Sequence, residues 1–255
     1  MTADTDQDVA ALKRIGRICA HILRQMMKAA RPGMTTGELD KHGGELLRAA
    51  GARSAPELAY DYPGATCISV CPVIAHGIPG DHVLEAGELI HIDVSAELEG
   101  YFADTGASMC VPDRSKAGTV PPATEVGRML EATRAALSKA MTAARAGQPL
   151  NGIGRAVELE ARRGGYNIIR ELTGHGIGHH LHEAPGQIWN FPDPRDRRIL
   201  QEGAVLAIEP FLTMGQGRIR EMGDGWSLRT ADSAPAAQFE HTIVVTRGHP
   251  IVLTL

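Results

Sequence analysis

Asp93, Asp104, His175, Glu209 and Glu240 are the side chains through which this chain could do chemistry. Each stands in a short run that reads as a strand or strand end beside a glycine or proline. No two lie close enough in sequence to make a local motif such as a helical His-Glu-x-x-His. If the fold gathers them, four carboxylates and one imidazole share one site. Such carboxylates repel, raise each other's pKa and call for divalent cations. An oxygen-rich set with one imidazole suits Mn, Fe(II), Co or Zn better than a thiolate-loving metal.

The segment Thr173-Gly-His-Gly-Ile-Gly-His-His-Leu-His-Glu-Ala-Pro185 puts four histidines in eight positions. Its glycines allow close backbone approach and leave His175 unobstructed. A helical His175/His179 metal pair and a solvated histidine loop are the alternatives, and the glycines weigh against the helix. His182 follows His175 by seven residues and can reach back to the same cleft as a proton donor or oxyanion partner. Glu209 ends the apolar run Ala204-Val-Leu-Ala-Ile-Glu-Pro210, where a carboxylate needs a partner. Alternation in Gln238-Phe-Glu-His-Thr-Ile-Val-Val245 puts Glu240 on the side of Gln238 and Thr242. His76 stands on a loop between two strands. Tyr62, Cys67 and Trp226 can line an apolar pocket or belong to the core.

These residues need elements to position them. Apolar residues at three-to-four spacing over 7–30 predict an amphipathic helix ended by Arg31-Pro32-Gly33. Thr35-x-x-Glu38 is a capping box opening a second helix over 36–50. A strand near 65–71 and the loop Ala75–Gly80 follow. In Glu88–Ser95, Ile90, Ile92 and Val94 face one way and His91, Asp93 and Ser95 the other. Glu97–Gly100 turns the chain, and a second strand over 101–111 carries Asp104 back beside Asp93. Residues 112–122 read as a connector, followed by helices over 122–146 and 150–164. A strand-like Asn167–Leu172, an irregular proline-rich loop over 184–194, a strand at 204–209, a hairpin at 218–229 and a closing strand at 238–246 complete the chain. Helix pair then strands, twice over, predicts an α+β fold with pseudo-twofold halves near 8–115 and 120–250 in one domain spanning 8–250. Residues 1–7, acidic and polar, read as a disordered tail.

Composition narrows the partners. The chain has 255 residues, is 43% apolar and 22% charged, and carries a net charge of −4. Without a basic stripe, nucleic acid is not an expected partner. No apolar run approaches the roughly 20 residues of a membrane span, and the first residues read as neither a signal nor a transit peptide. Cys19, Cys67, Cys71 and Cys110 show no Cys-x-x-Cys pairing. Cys67-x3-Cys71 is a weak metal signal, and buried reduced thiols in a cytoplasmic setting are the expectation.

Taken together, the motifs resemble type I methionine aminopeptidases of peptidase family M24. The matching pieces are Ala75-His-Gly-Ile-Pro79, His91-Ile-Asp-Val94, Phe102-Ala-Asp-Thr105, Gly174-His-Gly-Ile-Gly178, His182-Glu-Ala-Pro185, Ala207-Ile-Glu-Pro210, Asp224-Gly-Trp226 and Gln238–Val245. They occur in the family's order from about residue 8 onward. The resemblance implies the pita-bread fold, a curved antiparallel sheet backed by two helix pairs. It implies two divalent ions, with Asp104 and Glu240 bridging, Asp93 completing one site and His175 and Glu209 the other. It also implies substrate contacts from His76 and His182, and a methionine pocket around Tyr62, Cys67, His76 and Trp226. The implied activity is removal of initiator methionine before a small second residue, by a hydroxide held between the two ions with Glu209 as its base. Nascent polypeptide N-termini would be the substrates, which allows a transient ribosome contact, and a monomer is expected. The sequence departs from the family at Cys71-Pro72, Ala59, Leu181 and His179-His180. These positions bear on the shape of the side-chain pocket and leave the metal set intact. A prolidase-type peptidase and a non-catalytic peptide-binding relative are the alternative readings.

Overall fold

The computed structural model describes residues 1–113 and 124–255. The expected connector over 112–122 and the start of the helix after it fall largely outside the described residues. In the first half, the elements are α1 (Asp6–Ala29), α2 (Thr36–Ala49), β1 (Arg53–Ser54), α3 (Ala55–Tyr60), β2 (Cys67–Val70), β3 (Val73–Ala75), β4 (Leu89–Leu98) and β5 (Tyr101–Cys110). The second half opens with α4 (Glu125–Ala143) and α5 (Asn151–Gly164). Its strands are β6 (Asn167–Ile168), β7 (Thr173–Gly176), β8 (Glu183–Trp189), β9 (Val205–Ile208), β10 (Phe211–Thr213), β11 (Ile219–Glu221), β12 (Leu228–Thr230), β13 (Ala236–Gln238), β14 (His241–Val244) and β15 (Ile251–Val252). The α+β order expected from the sequence is the order found.

Local chemistry starts the helices. Thr5 caps α1 and Thr35 caps α2, each in a capping box closed by Asp8 and Glu38 respectively. Such a cap contributes about 1 kcal/mol. The β4–β5 hairpin turns through Glu99 and Gly100, whose φ values of 54° and 86° are both left-handed. That is the type I′ geometry whose twist matches the flanking strands. The two strands pair along ten residues from Leu89↔Cys110 to Leu98↔Tyr101. Ile90, Ile92 and Val94 are fully buried in the core with Ile22 and Met26 of α1. Met129 and Leu137 of α4 and Leu206, Ile208 and Ile243 of the second half belong to the same cluster.

In the second half, β15, β14, β9, β7 and β8 form one antiparallel sheet. The halves are joined where β5 meets the segment around Glu240. Glu240 donates its backbone N–H to Gly106 O (2.9 Å), and Thr242 Oγ1 donates to Asp104 O (2.7 Å). Thr105 Oγ1 donates to the Glu240 carbonyl (2.8 Å), and the Gln238 N–H donates to Ser108 Oγ (2.9 Å). The seam therefore runs through the residues singled out for chemistry.

Two expectations are corrected, and one element is added. Residues 1–7, expected as a disordered tail, pair with the second half and enter α1 at Asp6. The Met1 amine pairs with Glu183, Val205 N–H donates to Met1 O, and Ala3 N–H donates to Gly203 O. Backbone pairing and burial of the Met1 side chain hold this acidic stretch down, and the Thr5 cap continues it into α1. Residues 184–189 belong to strand β8 and are not an irregular loop. The ladder to β7 shifts register between Gly174 and Gly176, so Pro185, which has no N–H to give, stands outside it. Residues 55–60, to which the sequence reading assigns no element, form α3, which is capped by Ser54 and carries a proline in its first turn.

Candidate metal centre and its cleft

Strand register carries the first two carboxylates to one face. Asp93 lies opposite Gly106 and Asp104 opposite Ser95, so all four share a side of the hairpin. His175 arrives on β7, Glu209 just after β9, and Glu240 between β13 and β14. One cleft of about 350 Å³ is lined by all five, together with Tyr62, Cys67, His76, His182 and Trp226. The metal, substrate and pocket candidates of the family resemblance all lie on this cleft, whereas His179, the alternative partner of His175, does not. Cys71 does not line it, and Cys67 and Cys71 form no metal-ligating group among the described residues. Cys19 and Cys67 are buried free thiols, whereas Cys71 and Cys110 are half-buried.

Ligand atoms of Asp104, His175 and Glu240 all come within 4.8 Å of one another. His175 Nε2 stands 3.6 Å from Glu209 Oε1 and 3.9 Å from Asp104 Oδ2, too far for hydrogen bonds. His175 Nδ1 lies 3.0 Å from the Gly176 carbonyl oxygen. A carbonyl accepts, so Nδ1 carries the hydrogen, and Nε2 turns a lone pair toward the carboxylates. Burial lowers the His175 pKa to about 3, which keeps the ring neutral. A lone pair facing carboxylates is repulsive unless a cation stands between them.

The carboxylates tell the same story. Asp93 Oδ1, Asp104 Oδ1 and Glu240 Oε1 are buried without a hydrogen-bond partner. Burial, reinforced by the neighbouring carboxylates, raises Asp93, Glu209 and Glu240 well above the usual range, and burial raises Asp104 to about 6. Unpartnered buried acceptors beside a lone-pair donor are the chemistry of a divalent-cation site, and the residues present fit one.

Gln238 braces the cluster. Its Nε2 donates to Glu240 Oε2 at 3.1 Å and approaches Glu209 Oε2 at 3.5 Å. Gly106 makes room for it: a Cβ there would stand 2.7 Å from Gln238 Oε1 and 2.8 Å from His91 Cε1. Sequence reasoning gave Gln238 no role, although the alternation that placed it on the side of Glu240 was the available signal. Around the cluster, Tyr62 packs edge-on to Trp226 with ring centres 5.1 Å apart and donates its hydroxyl to Gly77 O at 2.6 Å. His76 follows β3 with φ 53°, and burial lowers its pKa. The His182 ring centre is 4.1 Å from that of His175. Pro56, Tyr60, Ser95 and Leu181 complete the lining.

A buried carboxylate–imidazole cluster on the seam of an α+β fold, opening into an apolar cleft, defines a protein built to hold metal beside a bound ligand. The model of metallopeptidase family M24 matches residues 10–247, and the chain belongs to that family. It is 44% identical over 255 residues to "Methionine aminopeptidase 2" of Bacillus subtilis, covering 100% of this chain and 99% of that one. It is 34% identical over 253 residues to "Methionine aminopeptidase" of Escherichia coli, covering 98% and 92% of the two chains. The solved methionine aminopeptidase of Thermotoga maritima superposes with a TM-score of 0.91 at 30% identity, over 100% and 99% of the chains. A prolidase from Pyrococcus furiosus shares the fold with a TM-score of 0.75 at 21% identity, but this chain spans 65% of it. The pita-bread fold expected from the sequence is the fold found.

Proposed function

We propose that this chain removes the N-terminal methionine from newly made polypeptides whose second residue is small. The observation that carries the reading is one cleft with two walls: a cluster of orphaned carboxylate oxygens, and an apolar face of Tyr62, Cys67, His76 and Trp226. Asp93, Asp104, His175, Glu209 and Glu240 would hold two divalent ions, and their donor set admits Mn, Fe(II), Co or Zn. Bound there, the ions supply acidification of a water and polarisation of the scissile carbonyl.

The chain's own residues do the rest. Glu209, on the cleft and beside the Gln238 amide, would take a proton from the attacking water and pass it to the leaving amine. His76 and His182, neutral because withdrawal from water lowers their pKa values, offer N–H donors to the oxygen on which charge develops. The edge-packed Tyr62–Trp226 pair gives an unbranched thioether side chain an apolar, polarisable wall. Leu181 lines the cleft where the family resemblance leads one to expect an aromatic, and it bears on how strictly this wall selects methionine as the first residue. The enzyme works on this reading as a monomer in the cytoplasm and meets nascent chains in transient contact with the ribosome. Four free cysteines suit a reducing compartment.

Assay of Met-Ala-x peptides against x-Pro peptides, with and without Mn(II) or Co(II), tests the reading. Metal-dependent release of methionine is the expected result. Cleavage confined to x-Pro, or none with any metal, would overturn it.

A further inference from the structure

Tyr60 ends α3 at the mouth of the cleft, and its hydroxyl lies 2.7 Å from His182 Nδ1. The rings tilt at 49° with centres 5.6 Å apart. The contact spans 122 residues of sequence and joins the two halves across the cleft. Its supports are local. Ser54 caps α3, Asp61 ends it in the left-handed region at φ 54°, and Tyr62 is tied to Gly77 O two residues on. The short helix thus delivers one tyrosine to the pocket wall and the other to a histidine.

Two senses of this hydrogen bond are open in principle. A phenol is a stronger donor than acceptor, and a neutral imidazole nitrogen is a stronger acceptor than a phenol oxygen. The 2.7 Å separation is that of a phenol O–H donating to an accepting ring nitrogen. Donation from Tyr60 to Nδ1 fixes the ring hydrogen on Nε2, the nitrogen left for a bound peptide. We propose that Tyr60 is a positioning residue for His182: it locks the imidazole in the Nε2–H form and holds that donor toward the scissile carbonyl. This rests on His182 facing substrate, as in the function proposed above. The role differs from that of Tyr62, whose hydroxyl is consumed by backbone and whose ring packs on Trp226.

Tyr60→Phe tests it. Tyr60 is 46% exposed, so loss of one hydroxyl leaves the core intact. Imidazole ¹⁵N spectra of chelated protein, with His182 assigned from a His182→Gln sample, should show hydrogen on Nε2 and an accepting Nδ1. In Tyr60→Phe the Nδ1 resonance should move to that of a nitrogen without a donor. With metal restored, kcat should fall about 10-fold while KM and metal content hold. Hydrogen on Nδ1 in the wild type, an unmoved Nδ1 signal, or a variant with unchanged kcat would overturn the proposal. The spectra need no turnover, so failure of the wild type to release methionine would sink the functional reading and be told apart from failure here.

Discussion

The β4–β5 hairpin carries buried carboxylates at its turn and at its middle, and the two places are built differently. At the turn, Glu97 receives Arg53 Nε on one oxygen at 2.6 Å and the Gly100 N–H on the other at 2.7 Å. Burial works to raise its pKa, but these donors outweigh it and leave the carboxyl below the usual range. At the middle, Asp93 and Asp104 each keep an oxygen with no partner, and their pKa values rise. Glu97 and Asp104 are 4% and 5% exposed, so burial does not separate them. Partners do. Where the protein completes a carboxylate itself, the role is structural; where it leaves oxygens bare and convergent, the completing group comes from outside.

Substitution should widen this contrast. Asp104→Asn is expected to lower aminopeptidase activity by at least about 10³-fold, since it removes a shared anionic ligand. The same change should stabilise the chelated protein by about 1 kcal/mol, because it relieves a buried, repelled charge. Glu97→Gln should do the reverse, leaving kcat/KM within about 2-fold while lowering the thermal midpoint. Melting curves in chelator beside peptide kinetics check both. If Asp104→Asn destabilised the chelated protein as Glu97→Gln does, the two places would not differ.

Glycines sharpen the comparison at a smaller scale. Gly106→Ala should push Gln238 off Glu209 and Glu240 and cut activity about 10- to 100-fold. Gly100→Ala meets open space but strains a φ of 86°, so it should cost about 1 kcal/mol of stability and little activity.

The finest test is pH. In chelator, the folded pKa of Asp104, about 6, lies above its ordinary 3.8, so folding takes up protons between those values. The Asp104 charge therefore opposes folding fully above pH 6, and the opposition fades toward pH 4. The advantage of Asp104→Asn should be largest at pH 7–8 and shrink on acidification, with the neighbouring carboxylates titrating alongside. Glu97 has a depressed folded pKa, so its contribution is present above its ordinary 4.5 and is lost as pH falls through the lower folded value. The Glu97→Gln deficit should thus stay level from pH 8 to 5 and close below. Parallel pH profiles for the two variants would contradict this assignment.

Much of the centre was legible in the sequence because strand alternation is strict. A period of two put His91, Asp93 and Ser95 on one face and Gln238 with Glu240, and the hairpin turn then set the register. The capping box at Thr35 shows as a helix start in the same way, whereas the one at Thr5 lies in a stretch whose acidic, polar composition masks it. What stayed hidden depends on contacts between distant segments. Glu97 and Arg53 meet across β1 and β4, a pairing no local pattern announces. Tyr60 lies in a helix too short to show periodicity, and its partner is 122 residues away. β8 was obscured because Pro185 reads as a breaker, yet it sits where the ladder is already out of register. The brace by Gln238 needed the seam between the halves, which exists only in three dimensions.

The account stands on bare oxygens at the middle of the hairpin seating cations. Anomalous difference maps from crystals soaked in Mn(II) address it directly. Peaks within bonding distance of Asp104, His175 Nε2 and Glu240, absent from Asp104→Asn crystals, are the predicted result. Wild-type maps with no peak in the cleft, or with manganese seated elsewhere while these side chains keep their positions, would contradict it.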